Sequence, residues 1–226
     1  MQAVQQNTDD SYYNQINFQL ADAVHAVSPQ HVLEVGCGAG SLGRFLKSQL
    51  PGLRWDGIEP YQDAAKLAGQ SLDRVFHGCL EEVDLEPLVA TYDTIVLGDV
   101  IEHLLDPWAA LARRQKILKR RGRIVLSVPN INHWSIFFTL LSGRFPYSHS
   151  GLLDRTHLRF FTLHEIKQSL MQTNLQIERV RVVSQPHTLM NSTIEKIVGL
   201  QEDLGLNNPS LRSELEAFQW IVTARK

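Results

Sequence analysis

The chain has 226 residues, 43% of them hydrophobic and 20% charged, and its formal net charge is −2. This composition is typical of a globular protein with a buried core, and it argues against a dedicated nucleic-acid binder. Cys37 and Cys79 form neither a C-x-x-C pair nor a metal-finger spacing, the N-terminus lacks the features of a signal peptide, and the most apolar run, 134–141, is shorter than the roughly 20 residues of a membrane span. We therefore expect a single cytoplasmic domain over residues 1–226, without a membrane span.

In chain order, short apolar runs alternate with segments of helical periodicity. The pattern predicts strands at 31–35, 53–58, 74–76, 94–97 and 123–128, with helices at 41–50, 61–68 and 107–118. Asp106 is the predicted N-cap of the third helix, and Arg121-Gly122 is expected to end it. Farther on, the pattern predicts a helix at 163–171 and strands at 175–183 and 218–224.

Strands that alternate with helices favour right-handed crossover units. The predicted fold class is therefore α/β, with a Rossmann-like, doubly wound, mostly parallel sheet of seven strands. Two segments interrupt the alternation. Residues 131–161 leave the carboxyl end of strand five, where ligands bind in open α/β sheets, so we expect a lid over the substrate there. Residues 187–216 form a predicted helical insertion before the last strand, either as a second lid or as a homodimer surface.

Three alternating glycines, Gly36, Gly38 and Gly40, follow the first strand and precede a helix. Glycine permits positive φ and lets a ligand approach the backbone, while the free N–H groups of a helix start suit an anion such as a carboxylate. Glu34, at the end of the strand, is placed to face an ammonium group. Together these features predict a ligand with the shape of an amino acid.

Glu59 follows the second strand, 23 residues after Gly36. A carboxylate about 20 residues after the glycine turn is where such folds hold ribose hydroxyls. Residues 38–43 also match the G-x-G-x-x-G pattern of nicotinamide dehydrogenases. That match is out of phase with the turn, which begins at Gly36, and the chain has no Tyr-x-x-x-Lys pair, so hydride transfer is the weaker alternative.

The segment from Glu34 to Gly40 resembles motif I of the class I S-adenosylmethionine (SAM) dependent methyltransferases. Residues 92–104 are similar to the fourth-strand motif of that family, and residues 119–123 resemble its Lys-Pro-Gly-Gly turn with the proline lost. Residues 127–131 and 153–162 are similar to a bacterial subgroup of ubiquinone-biosynthesis O-methyltransferases, methionine-biosynthesis W-type proteins and saccharide-pathway enzymes. The resemblance implies SAM as cofactor and S-adenosylhomocysteine as product.

The resemblance also implies which residues bind the cofactor. Residues 78–81 match the place where an Asp usually receives the adenine amino group; Cys79 stands there instead, so Glu81 or backbone groups are expected to substitute. Gly98 and Asp99 would lie beside the sulfonium. From position alone, and not from the resemblance, we expect Tyr12 and Tyr13 to close over the cofactor. The complete predicted set is Glu34, Gly36, Cys37, Gly38, Gly40, Glu59, Cys79, Leu80, Glu81, Gly98 and Asp99.

Methyl transfer to an oxygen requires removal of the acceptor's proton. If residues 99–103 start a helical turn, Asp99, Glu102 and His103 share one face at positions i, i+3 and i+4. An unperturbed imidazole titrates near neutrality, so His103 is the first candidate for the general base. His157 is the second candidate, and Glu102 completes the predicted catalytic set.

Asp99, Glu102, His103 and His157 also resemble, position for position, the metal ligands of RNA-end 2′-O-methyltransferases. Mixed carboxylate and imidazole ligands would hold a divalent metal such as Mg²⁺, Mn²⁺ or Zn²⁺, which would lower the pKa of an acceptor hydroxyl. The alternative is that Glu102 and His103 form a structural family motif that caps the turn and packs on the sheet.

The predicted lid carries candidate acceptor contacts. Its arginines would bind an anionic small-molecule acceptor, or else form a solvated face or a buried ion pair. Its aromatic residues would form an acceptor pocket or a core beneath the lid. The residues concerned are Arg144, Arg155, Arg159, Trp134, Phe137, Phe138 and Phe145. We expect methyl transfer to a small polar acceptor, at oxygen rather than nitrogen, with a saccharide as the leading guess. The alternatives are a SAM-binding partner subunit without catalysis and a metal-assisted RNA 2′-O-methyltransferase, the latter disfavoured by the negative charge.

Overall fold

The structure is a computed structural model that describes residues 16–184 and 191–226, apart from the side chain of Arg114. Tyr12 and Tyr13 lie outside the described residues. None of the described helices is long and apolar enough to cross a membrane.

Within the described ranges the chain forms one seven-stranded sheet, in the order β3-β2-β1-β4-β5-β7-β6. The strands are β1 His31–Val35, β2 Arg54–Glu59, β3 Arg74–His77, β4 Tyr92–Gly98, β5 Leu118–Pro129, β6 Gln176–Ser184 and β7 Ala217–Arg225. The pairs β1–β2, β1–β4 and β2–β3 are parallel, and β6 pairs antiparallel with β7. The predicted α/β class with a doubly wound, mostly parallel sheet is confirmed.

Helices connect most of these strands. The described helices are α1 Phe18–His25, α2 Ser41–Gln49, α3 Gln62–Ala68, α4 Pro107–Arg114, α5 Trp134–Leu141, α6 Leu163–Gln172, α7 Asn191–Asp203 and α8 Leu211–Glu216. Because parallel strands are covered on both faces, β1 is buried at every residue and β2 at every residue after Arg54. The strand β6, at the edge of the sheet, has only exposed and half-buried residues.

Contacts within the chain gather into two compact units, which we describe separately. The first contains the described residues up to Gly98, together with Arg113–Val125 and Lys226. The second contains Asp99–Ala112 and the described residues from Leu126 to Arg225. The expectation of a single domain over residues 1–226 stays a prediction.

The first unit is tied across its strands by a buried carboxylate. Asp56 of β2 is completely buried, and its Oδ2 accepts hydrogen bonds from the Arg74 guanidinium (Nη2, 2.6 Å) and the Tyr92 hydroxyl (2.8 Å). The ring of His31 lies 3.2 Å from the same oxygen. Four neighbouring strands therefore share one ionic hydrogen-bond network, which offsets the cost of burying the charge.

The second unit is held together by Asn130, at the end of β5. This residue is completely buried, and its amide donates to the backbone carbonyls of Glu214 and Ala217, each at 2.7 Å. Its backbone N–H donates to Phe218 at 3.1 Å. One side chain thus fixes the start of the 131–161 segment to the end of the 187–216 segment, whose described part contains α7 and α8.

Two element predictions differ from the structure. The predicted helix 107–118 is α4 followed by a short 3-10 turn at Gln115–Ile117, and β5 already begins at Leu118, which is fully buried. The C-terminal Lys226 stabilises this early start, since its backbone N–H donates to Gly122 and its ammonium to Leu118. The apolar run 134–141, for which no helix was predicted, forms α5. The predicted N-cap is confirmed, because Asp106 Oδ1 accepts from the Ala109 N–H at 2.9 Å.

Candidate functional site

The glycine turn leaves β1 in a backbone conformation that side chains disfavour. Gly36, Gly38 and Gly40 have φ values of +68°, +54° and +79°. The Gly36 N–H donates to the carbonyl of Ile58 at 2.9 Å, which joins the turn to the end of β2. Three left-handed residues within five positions explain the glycines, because a Cβ at any of them would strain the backbone.

The same turn opens the helix α2 without a side-chain cap. Its N-cap is Gly40, and no side chain accepts a hydrogen bond at the N-cap position. The first backbone N–H groups of a helix lack intrahelical acceptors and carry the positive end of the helix dipole. The start of α2 is therefore suited to an anionic group such as a carboxylate.

Glu59 braces the turn from the end of β2. Its Oε2 accepts the N–H of Gly38 at 2.8 Å and its Oε1 accepts the N–H of Tyr61 at 3.0 Å, with only 3% of the residue exposed. Burial raises the pKa of Glu59, while the two backbone N–H groups partly counteract this rise. Each carboxylate oxygen has a second lone pair, so ribose hydroxyls remain acceptable donors.

Glu34 points to the interior of the first unit. Its Oε2 accepts the indole N–H of Trp55 at 2.8 Å, and the residue is buried. Burial raises the pKa of Glu34 to about 8; the Trp55 bond works against this rise and the nearby charge of Glu59 adds to it. Without a cationic ligand, the Glu34 carboxyl is therefore largely protonated at neutral pH.

The remaining cofactor candidates of the first unit differ in exposure. Cys37 is buried, and its sulfur lies so close to Gly57 that it occupies the space a Cβ at that position would need. Burial is also the main reason why the pKa of the Cys37 thiol is raised. Cys79 and Glu81 are exposed and Leu80 is buried. The assignment of these three residues to adenine stays a prediction.

Asp99 does not share a helical face with Glu102 and His103, so that prediction is wrong. Its φ of +53° is left-handed, and the 3-10 turn that follows begins only at Ile101. The Asp99 carboxylate instead accepts hydrogen bonds from the Ser127 hydroxyl (3.2 Å) and from the side-chain amide of Gln219. Sequence reasoning missed both partners, since Gln219 lies 120 positions away and no local pattern marks it.

Glu102 is the most unusual polar residue of the second unit. Only 1% of it is exposed, and neither carboxylate oxygen has a hydrogen-bond partner among the described residues. Burial and the nearby charge of Asp99 raise its pKa well above the ordinary value. A buried carboxyl without partners is costly, so this position favours a ligand that would supply the missing contacts.

Two histidines stand beside this carboxyl. Glu102, His103 and His157 each offer a ligand atom within 4.8 Å of the others, and the two imidazole rings are 4.9 Å apart in an edge-to-face arrangement. We call these three residues the Glu102 cluster. The predicted fourth ligand, Asp99, is not part of this group among the described residues, and its carboxylate instead accepts hydrogen bonds from Ser127 and Gln219.

Backbone hydrogen bonds bring the two parts of the cluster together. The carbonyl of Glu102 accepts the N–H groups of Leu158 (2.8 Å) and Arg159 (3.0 Å). His103 Nδ1 lies 3.2 Å from the carbonyl oxygen of Thr156. A carbonyl only accepts, so neutral His103 carries its proton on Nδ1 and presents Nε2 as a base or metal ligand. Burial and, to a smaller extent, His103 lower the pKa of His157, which favours the neutral ring.

The predicted acceptor contacts are only partly free. The Arg159 guanidinium already donates to the carbonyls of Leu158 (2.9 Å) and Leu105 (2.8 Å), whereas Arg144 and Arg155 are exposed. Phe145 packs against a buried cluster of Ile136, Leu152 and Leu153 and so belongs to a local core. Trp134, Phe137 and Phe138 are half-buried on α5, with edge-to-face ring contacts between Trp134 and Phe138 and between Phe137 and Phe138.

Comparisons with known proteins agree with this architecture. Residues 12–180 match a family described as "Methyltransferase domain". The ubiquinone biosynthesis O-methyltransferase of Photobacterium profundum is 28% identical over 163 residues, which cover 70% of this chain and 68% of that protein. Its namesake from Bradyrhizobium diazoefficiens is 33% identical over 162 residues, 69% of this chain and 62% of that protein. This chain therefore spans about two thirds of both relatives.

Among solved structures, a SAM-dependent methyltransferase from Archaeoglobus fulgidus has a similar fold. The TM-score is 0.63 with 17% sequence identity, and the match covers 96% of this chain and 97% of that one. At this identity the likeness speaks for the fold and leaves the acceptor open.

Proposed function

Because residues 12–180 match the methyltransferase domain family, the chain belongs to the class I SAM-dependent methyltransferases, and we propose that it transfers the methyl group of SAM to an oxygen of a small polar acceptor. The observation that carries the choice of oxygen is the Glu102 cluster, with its unpartnered carboxyl and its two imidazoles. An oxygen acceptor must lose a proton on transfer, and this cluster provides groups able to take it.

For the cofactor, we assign the glycine turn and the start of α2 to the carboxylate of the methionine part. The observation behind this assignment is the left-handed turn that ends in the uncapped helix start. Glu59 is assigned to the ribose hydroxyls, while its bonds to Gly38 and Tyr61 keep the turn in place. Cys79, Leu80 and Glu81 are assigned to adenine, and Gly98 and Asp99 to the sulfonium side, from family resemblance alone.

For the proton, His103 is the first candidate because the Thr156 carbonyl fixes its tautomer. Its Nε2 lone pair would accept the acceptor proton as the oxygen attacks the methyl carbon and the carbon–sulfur bond of SAM breaks. His157 is the alternative base, since its lowered pKa favours the unprotonated ring. The methyl group is already activated by the sulfonium, so the protein's task is alignment and proton removal.

A divalent metal fits the Glu102 cluster. Two imidazoles and a carboxylate are ligands that Zn²⁺, Mn²⁺ and Fe²⁺ accept. The buried oxygens of Glu102 have no hydrogen-bond partner among the described residues, and a bound ion would supply the missing contact. When bound, the metal would lower the pKa of an acceptor hydroxyl. The ligands would be Glu102, His103 and His157, without the Asp99 of the predicted set.

The names of the relatives give limited guidance about the class of the acceptor. Those reported above are named for ubiquinone biosynthesis and O-methylation, and they lend no support to a saccharide acceptor. We therefore propose a hydroxylated aromatic or related small molecule ahead of a sugar. The exposed Arg144 and Arg155 would favour an anionic acceptor.

The deciding experiment is isothermal titration with SAM, S-adenosylhomocysteine and NADH, in chelator and with added Mn²⁺ or Zn²⁺. It is followed by transfer assays with phenols and sugars under the same two conditions. Binding of both adenosyl ligands without NADH, and transfer to a phenolic hydroxyl, would support the proposal. Adenosyl binding with no transfer to any acceptor would favour the alternative of a non-catalytic partner subunit. Full activity in chelator would show that transfer does not require a metal.

A further inference from the structure

The near-neutral net charge of this chain conceals a strong segregation of charge. Seven of the eleven residues from Arg113 to Arg123 are Lys or Arg, and residues 107–153 contain no Asp or Glu. Outside residues 113–123, the chain carries 15 Lys and Arg residues and all 24 acidic residues. An anionic partner would therefore meet one concentrated basic segment on an otherwise acidic protein.

The structure exposes this segment at one edge of the first unit. Arg113, Lys116, Lys119, Arg120 and Arg121 are all exposed, and we call these five residues the basic edge. Lys119 lies 3.8 Å from Asp93, whose carboxylate also accepts backbone N–H groups of Gln30 and His31. The other four cations form no ion pair with any described residue.

The basic edge lies away from the glycine turn. The N–H groups of Ala90 and Thr91, just before β4, donate to the carbonyls of Lys116 and Ile117, so this edge is the amino end of β4 and the start of β5. The glycine turn follows the carboxyl end of β1, which runs parallel to β4. A partner on the basic edge would leave the cofactor side of this unit accessible.

One residue of the basic edge has an unfavourable backbone conformation. Arg121 has a φ of +64°, in a region where glycine is preferred. In the comparison of residues 119–123 with a Lys-Pro-Gly-Gly turn, Arg121 takes the place of the first glycine. An arginine at a strained position is a reason to look for a function of its side chain.

We propose that the basic edge binds the anionic phospholipid surface of a membrane, reversibly and by charge. Exposed clusters of Lys and Arg are attracted to anionic headgroups without needing a shaped pocket. Val89, 58% exposed, lies next to the residues that pair with Lys116 and offers an aliphatic side chain to the interface. Residues 109–132 contain no Phe, Tyr, Trp or His on which bases could stack, which makes a nucleic acid the poorer occupant.

The test is sedimentation of the full chain with vesicles. One set is phosphatidylcholine alone, the other equal parts of phosphatidylcholine and phosphatidylglycerol. We expect binding to the anionic vesicles only, with release near 1 M salt, where the screening length is about 3 Å. The double variant Arg120→Gln, Arg121→Gln should bind about 25-fold more weakly, from about five-fold for each removed cation. The control, Lys66→Gln with Lys167→Gln, removes the same charge from exposed helix positions and should change binding less than two-fold.

A second variant separates lost binding from a damaged fold. Arg121→Gly relieves the left-handed backbone, so it should keep or raise the thermal midpoint while weakening vesicle binding about five-fold. Equal binding to both kinds of vesicle, or an unchanged affinity of the double variant, would overturn the proposal. Tighter binding to a poly(U) oligonucleotide than to anionic vesicles, lost in the same variants, would overturn it in favour of RNA. SAM binding is measured separately and does not enter any of these outcomes.

Discussion

The glycine turn and the Glu102 cluster both bury acidic side chains, but they satisfy them differently. In the turn, Glu59 accepts two backbone N–H groups and Glu34 accepts the Trp55 indole. In the cluster, both oxygens of Glu102 are without a partner among the described residues. The acidic side chains at the turn therefore already have hydrogen-bond partners in the fold, whereas Glu102 costs stability until a ligand arrives. Substitutions should then affect the two regions in opposite ways.

The largest expected effect is on Glu102. Glu102→Gln should lower the methyl-transfer rate by about 10²–10⁴-fold, because the cluster would lose the group that orients a base or holds a metal. It should also raise the thermal midpoint of the ligand-free protein, since a neutral amide costs less to bury than a carboxylate. Initial rates measure the first effect and calorimetry the second. The affinity for S-adenosylhomocysteine is measured as well and should not change. The exposed Glu202→Gln on α7 is the control; a fully active Glu102→Gln would disprove the role of the cluster.

The matching substitution at the turn should act on binding instead. Glu59→Ala should weaken S-adenosylhomocysteine binding by about 2–3 kcal/mol, on the order of 100-fold, because charge-assisted bonds to the ribose are lost. Unlike Glu102→Gln, it should lower the thermal midpoint, because the N–H groups of Gly38 and Tyr61 lose their acceptor. Titration calorimetry measures the first effect and thermal unfolding the second. Asp63→Asn, exposed on α3, is the control, and an unchanged affinity in folded Glu59→Ala would contradict the ribose assignment.

The pH dependence of stability tests the buried carboxyls directly. The pKa of Glu34 is about 8 in the folded chain against about 4.5 as the ordinary value, so the folded state binds a proton that the unfolded state has lost between these pH values. Its contribution to stability is complete below pH 4.5 and is lost as pH rises towards 8, by at most about 1.4 kcal/mol per pH unit. Denaturant unfolding across this range should show the decline, and Glu34→Gln should flatten it. An equal slope in wild type and variant would mean that Glu34 is ionised in the folded chain.

The smallest effect is expected at Asp99. Asp99→Asn should change the affinity for Mn²⁺ or Zn²⁺ by less than about three-fold, because Asp99 lies outside the Glu102 cluster and Asn tolerates a left-handed φ. Titration with each metal measures this, with Glu102→Gln as the variant that should abolish binding. A large loss in Asp99→Asn would restore the four-ligand set predicted from the sequence.

The sequence predictions were accurate where a feature depends on neighbouring residues, and they failed where it depends on residues far apart in the sequence. The strands β1 and β2, the glycine turn and the N-cap Asp106 depend on neighbouring residues, and each was located to within a residue or two. The surroundings of Asp99 depend on Ser127, 28 positions away, and on Gln219, 120 positions away. Helical spacing alone gave the wrong partners there, because Asp99 has a left-handed backbone and lies outside the 3-10 turn that begins at Ile101.

The sequence by itself determined the α/β class and the glycine turn, whereas its resemblance to a known family proposed Glu102, His103 and His157 as one group together with Asp99, which lies outside the cluster. Hydrophobic periodicity and glycine are local properties that act before the chain packs. The tertiary structure decided that Glu34 faces Trp55, that Asp99 bonds to Gln219, and that Glu102 has no partner. These outcomes depend on which side chains meet after folding and on how far each is removed from water, and burial is what gives Glu102 its raised pKa.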